Sequence, residues 1–118
     1  MKGNLQNSEA LLAKAEEQKL YGKLVAQLKK DFGLANIHID FPIDVPRSEL
    51  PKILHEKLYV LLMEKFSDYL NLIYVIDIPE KAFKEIQVTD SVEVAGQVSF
   101  LILKRELQKV TLRQKYDV

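Results

Sequence analysis

Apolar residues return at helical spacing over most of the chain, and the longest stretch of this kind closes it. Residues 89–116 read as one amphipathic helix, apolar in its first half and charged toward its end. Asp90-Ser-Val-Glu93 is a capping box that would start it. Val94, Val98, Leu101 and Ile102 line one stripe, and Phe100, Leu103, Leu107 and Val110 line its neighbour. Gly96 would let another helix come close. A helix of this kind needs a groove made by other helices.

The rest of the chain supplies them. Residues 1–7 read as frayed, and Ser8 is placed to cap a helix running to about Phe32. Leu20, Leu24, Val25, Leu28 and Phe32 form its stripe, Lys29 and Lys30 suit its last turn, and Gly33 would stop it. Gly22 is a candidate break. Ser48 would cap the next helix, with Pro51 in its first turn, where a missing N–H costs little. Its buried face is Leu50, Ile53, Leu54, Leu58, Leu61, Leu62 and Phe66, and Ser67-Asp68 offers a kink or a new cap. Residues 69–76 suit a buried helix or a central strand; helix is preferred because helical patterns flank them. Asp77-Ile-Pro-Glu80 resembles a second capping box, for a short helix to about Glu85.

One segment breaks the pattern. Ile37, Ile39 and Phe41 alternate with His38, Asp40 and Pro42, the period of an extended chain. Pro42 and Pro46 exclude a helix. Residues 36–43 therefore read as an extended connector over the core, with an edge strand as the alternative. The expected fold is all-α: a single domain over residues 1–118, built as an irregular antiparallel bundle of four helical segments.

Composition narrows the possible functions. The chain has 118 residues, 47% of them apolar, enough for a sizeable core. Lys plus Arg and Asp plus Glu both total 17, so no global field steers it toward nucleic acid or anionic lipid. It has no cysteine, which removes thiol nucleophiles and cysteine-ligated metal sites. No apolar run approaches the roughly 20 residues of a membrane span, and the polar start is unlike a signal peptide. A cytoplasmic protein without membrane contact is the expectation.

The motifs that resemble chemistry have simpler explanations. Asp31-Phe-Gly matches the metal-binding tripeptide of protein kinases, but the phosphate loop and catalytic loop that tripeptide needs are missing. A helix end accounts for it. His55-Glu56 opens like a zinc-protease helix, yet position 59 is tyrosine where that motif needs histidine. No nucleophile elbow or dinucleotide fingerprint occurs. No metal, cofactor or catalytic residue is expected. Arg105, Lys109 and Arg113 recur every four residues as a basic stripe, flanked by Lys104 and Lys115. They are candidate interaction residues together with Tyr116, although a solvated helix end explains the same spacing. Nucleic acid is a minor alternative, because no aromatic platform interleaves the stripe.

The stretches Leu72-Ile-Tyr-Val-Ile-Asp-Ile-Pro-Glu80 and Leu101-Ile-Leu-Lys-Arg-Glu-Leu-Gln-Lys109, followed by Arg113-Gln-Lys-Tyr116, resemble a family of small bacterial all-helical proteins of unknown function. The resemblance covers about the last half of the chain. It implies a helix over residues 92–115, and because the family has no assigned activity it implies nothing about function. Within these stretches Asp77 and Arg105 each lie among apolar residues, and are a candidate structural ion pair, with Glu80 or Glu106 as further partners. The leading expectation is a non-enzymatic protein-interaction or homo-oligomerising module, since residues 58–62, 69–76 and 98–103 are apolar nearly all round. The alternative is a small-molecule binder or enzyme with an inter-helix pocket holding His55, Tyr59, Asp77 and Arg105.

Overall fold

Helix α6, Ser91–Tyr116, runs through the middle of the fold and packs on four of the five other helices. The structure is a computed structural model; it describes residues 2–116, with the side chains of residues 4–116. Before α6 come α1 (Lys2–Glu17), α2 (Tyr21–Leu34), α3 (Leu50–Glu64), α4 (Phe66–Ile76) and α5 (Glu80–Phe83). No strand occurs among the described residues. The all-α expectation is met, with more and shorter helices than the pattern suggests.

The start of α6 forms as its sequence dictates. Asp90 Oδ1 accepts the Glu93 backbone N–H at 2.8 Å, satisfying one of the open donors of the first turn. Ala95, Val98, Ser99, Ile102, Leu103, Glu106 and Val110 then repeat at three- and four-residue steps, and all are buried. A Cβ on Gly96 would lie 3.6–3.7 Å from Asn4 and His55, an ordinary contact, so the close packing there does not require glycine.

The bundle is not wholly antiparallel. Asn4 Nδ2 donates to Glu93 Oε1 at 3.2 Å, at the start of both α1 and α6, and Gln18 and Leu112 share a groove near the far end. Those two helices therefore run parallel. Helix α2 runs the other way, with Lys23 bonded to Gln114 and Asp31 to Lys109.

The helix ends differ most from expectation. The single helix over residues 8–32 is two helices, and α1 already includes residues expected to fray. Ser8 is buried mid-helix rather than capping. The break is at Lys19, not Gly22, and the second stop is at Asn36, not Gly33. Both residues are left-handed, with φ of 59°. At Lys19 the next N–H, of Leu20, reaches back to the Ala15 carbonyl at 2.8 Å, while Lys19 N–H bonds Glu16 at 2.9 Å. At Asn36 the same two bonds recur, from Ile37 to Phe32 and from Asn36 to Gly33. This is the paired closure of a Schellman stop, which needs an apolar residue just past the end. Leu20 and Ile37 are both buried. Asp77, at φ 65°, ends α4 with a bond to the Ile73 carbonyl, and buried Ile78 follows it. Asp77 is thus the stop of α4 and not the cap of α5, whose preceding residue is Pro79.

The smaller corrections are local. Pro51 sits in the first turn of α3 as expected, but the residue before that helix is Glu49, without a side-chain cap. The break between α3 and α4 falls at Lys65 (φ −140°, ψ 60°), and residues 69–76 are helical. Residues 37–42 form neither strand nor helix. Ile37, Phe41 and Val45 are buried while His38 and Asp40 are exposed, so the alternation is real. Side chains of α2 hold its carbonyls in place of a strand ladder: Lys29 Nζ donates to Phe41 O, and Tyr21 Oη to Val45 O, each at 2.6 Å.

Candidate functional site

Of the basic stripe on α6, Arg105 and Lys109 are half-buried and Arg113 is exposed, yet each engages another helix or its end. Lys109 Nζ donates to Asp31 Oδ2 at 2.8 Å and lies 3.4 Å from Glu106 Oε1. Arg113 Nη2 donates to Gln27 Oε1 at 2.8 Å. Arg105 Nη2 is 3.4 Å from Asp77 Oδ2. Tyr116 is 75% exposed, with the Lys115 ammonium 6.0 Å from its ring centre.

The Asp77 and Arg105 side chains therefore meet, but not in the core: they are 82% and 23% exposed. An ion pair so wet contributes about 0–1 kcal/mol. Asp77→Asn keeps a residue that tolerates positive φ and removes only the charge. It is expected to change stability by less than about 0.5 kcal/mol in urea unfolding. A larger loss would show that the pair holds register.

The buried polar centre of the molecule is elsewhere. Gln27 and Asp31 lie one turn apart on the inner face of α2, and Gln27 Nε2 donates to Asp31 Oδ1 at 3.0 Å. Both are buried, and Glu106 of α6 is fully enclosed. The bonds form a chain, from Arg113 to Gln27 to Asp31, with Lys109 closing on Asp31 from α6. Neither Glu106 oxygen has a hydrogen-bond partner among the described residues, although Lys109 Nζ stands 3.4 Å from Oε1. Its carboxyl is pushed up to about 8, first by burial, then by the neighbouring Asp31 carboxyl; Lys109 pulls the other way. Burial beside the Asp31 carboxyl thus favours the protonated form of Glu106.

A protonated carboxyl at neutral pH is the kind of group acid catalysis uses, but access decides against it here. The adjoining groove, about 500 Å³, is lined by Lys23, Ala26, Gln27, Lys30, Val110, Arg113 and Gln114. It reaches the outer end of the bond chain, not Glu106. Of the residues expected to share an inter-helix pocket, Asp77 and Arg105 meet but His55 is apart from Arg105. His55 Nε2 lies 2.9 Å from the Val92 carbonyl, beside a hollow of about 30 Å³, whereas Arg105 lines a separate cleft with Ile78 and Leu101. Among the described residues no three acidic or histidine side chains could hold a metal ion.

Two apolar surfaces remain open. Phe66, Leu70 and Tyr74, one turn apart along α4, are 54%, 53% and 83% exposed, and Met63 at the end of α3 is similarly open. A groove of about 810 Å³ runs between α1 and α6, with Leu11, Phe100, Leu107 and Leu112 inside and Lys14 and Lys104 at its edges. Comparison with protein-family models, curated proteins and solved structures finds no match. The likeness of residues 72–80 and 101–116 to small helical proteins stands on those residues alone.

Proposed function

We propose that this chain is a non-enzymatic helical module that works through protein contacts, and that its first partner is a second copy of itself, paired across the outer face of α4. The observation that carries the reading is the row Phe66, Leu70 and Tyr74. Helix α4 already buries Tyr69, Leu72 and Ile76 on its inner side, so the outer row is surplus to its own fold. The row is symmetric about Leu70. Two copies crossing antiparallel around a two-fold axis would set Leu70 against its equivalent and each Phe66 near the other copy's Tyr74. Asp68 is the sole charge within α4, which favours a protein face over a polyanion.

Light scattering across a concentration series tests this. The expected mass is that of two chains at high micromolar concentration. Leu70→Glu is expected to return it to one chain with an unchanged helical spectrum, since Leu70 is not part of the core. A wild-type mass of one chain at high micromolar concentration removes the homo-oligomer. A second reading, an inter-helix small-molecule site, draws on the groove between α1 and α6, where lysines at the edges and an apolar interior suit an elongated organic acid. No helix among the described residues is long and apolar enough to cross a membrane.

A further inference from the structure

We propose that the groove between α2 and the end of α6 binds a small phosphate monoester, its phosphate held by Lys23, Lys30 and Arg113 and its organic body resting on Ala26 and Val110. The argument begins with charge. The chain as a whole is neutral, yet three cations and no carboxylate line this groove. The hydrogen-bond partners they have are uncharged: Lys23 bonds the Gln114 amide and Arg113 the Gln27 amide. Lys30 makes no ion pair among the described residues and stands exposed at the rim.

The groove is also organised. Arg113 uses one Nη to hold Gln27 Oε1, and Gln27 is fixed in turn by Asp31. The guanidinium is thereby oriented, with further N–H donors free for a bidentate contact, the geometry that favours arginine at phosphates. Behind the groove Lys109 balances the Asp31 carboxylate at 2.8 Å, and burial disfavours charge on Glu106. A volume of about 500 Å³ exceeds what a bare phosphate fills and lies in the range of small-ligand sites. Three cations match a dianion better than the single charge of a carboxylate. The groove contains no aromatic ring on which a base could stack, which favours a small ester over a strand of nucleic acid.

The test is a titration of the isotope-labelled full chain, followed by amide chemical shifts at constant ionic strength. The probes are phenyl phosphate, inorganic phosphate and a single-stranded oligonucleotide. Phenyl phosphate is expected to shift amides of α2 and the end of α6 saturably, at sub-millimolar concentration. Lys30→Gln, at an exposed position that leaves the fold intact, is expected to weaken it about tenfold, and Arg113→Gln at least as much. No saturation by either phosphate compound overturns the site. Equal binding of inorganic phosphate overturns the ester. Binding of the oligonucleotide alone overturns the small ligand in favour of a polyanion. None of these outcomes depends on the α4 interface, so the two proposals fail separately.

Discussion

Replacing Lys109 with methionine is expected to cost the fold about 3–5 kcal/mol, the loss seen when one partner of a buried ion pair is removed. The reasoning starts from what remains. Asp31 is buried and takes its shortest charge-assisted hydrogen bond, 2.8 Å, from the Lys109 ammonium. Without it, the carboxylate keeps the Gln27 amide as a donor but loses the cation that offsets its desolvation. Glu106 loses the one influence that lowers its affinity for a proton. Methionine keeps most of the aliphatic stem, so the loss reports charge rather than packing. Urea unfolding measures it, with Lys104→Met as the exposed control expected to stay within about 0.5 kcal/mol of wild type. If the two variants unfold alike, the pair is not a structural keystone, and Lys109 becomes available for another role.

The second large effect is on pH dependence. Glu106 holds its proton up to about pH 8 in the folded chain, against an ordinary value of 4.5. Between these limits the folded state binds more protons than the unfolded one. Stability from this group is therefore complete below about 4.5 and is lost as pH rises through about 8. The fall between pH 5 and pH 8 is expected to be on the order of 3 kcal/mol. Glu106→Gln should flatten that slope and leave the variant more stable than wild type at pH 8. An amide keeps the shape and never ionises. Thermal unfolding from pH 5 to pH 8 gives the answer, and an unchanged slope would assign the pH dependence to another group.

Both effects arise from residues whose spacing held a clue. Glu106 lies on the row of Ile102 and Val110, and Gln27 and Asp31 lie on the row of Leu24 and Leu28. Polar residues inside an apolar row signal a buried network. Their partnership was not legible, because Asp31 and Lys109 are 78 residues apart and nothing in either helix names the other. The basic spacing of Arg105, Lys109 and Arg113 was legible too, but in isolation it resembles a solvated face. That Lys109 and Arg113 bond α2 depends on what α2 presents. The elements that sequence did reveal are governed by neighbours along the chain: the Asp90 cap, Pro51 in a first turn, and the apolar content of residues 69–76. The glycines misled for the complementary reason. Gly22 and Gly33 stay inside α2, while the stops fall on lysine, asparagine and aspartate.

Those three stops bear on how the molecule comes apart. A glycine stop is intrinsic to its residue and survives in a peptide. Lys19, Asn36 and Asp77 instead adopt an unfavourable backbone state that persists because Leu20, Ile37 and Ile78 are docked behind them. Each helix end is thus guaranteed by a side chain belonging to the core. Fraying, ordinarily the cheapest motion of a helix, requires here that an apolar residue be drawn into water. The corners of this protein are thereby tied into the same cooperative unit as its centre, and a substitution at Leu20, Ile37 or Ile78 opens a void and releases a corner in a single event.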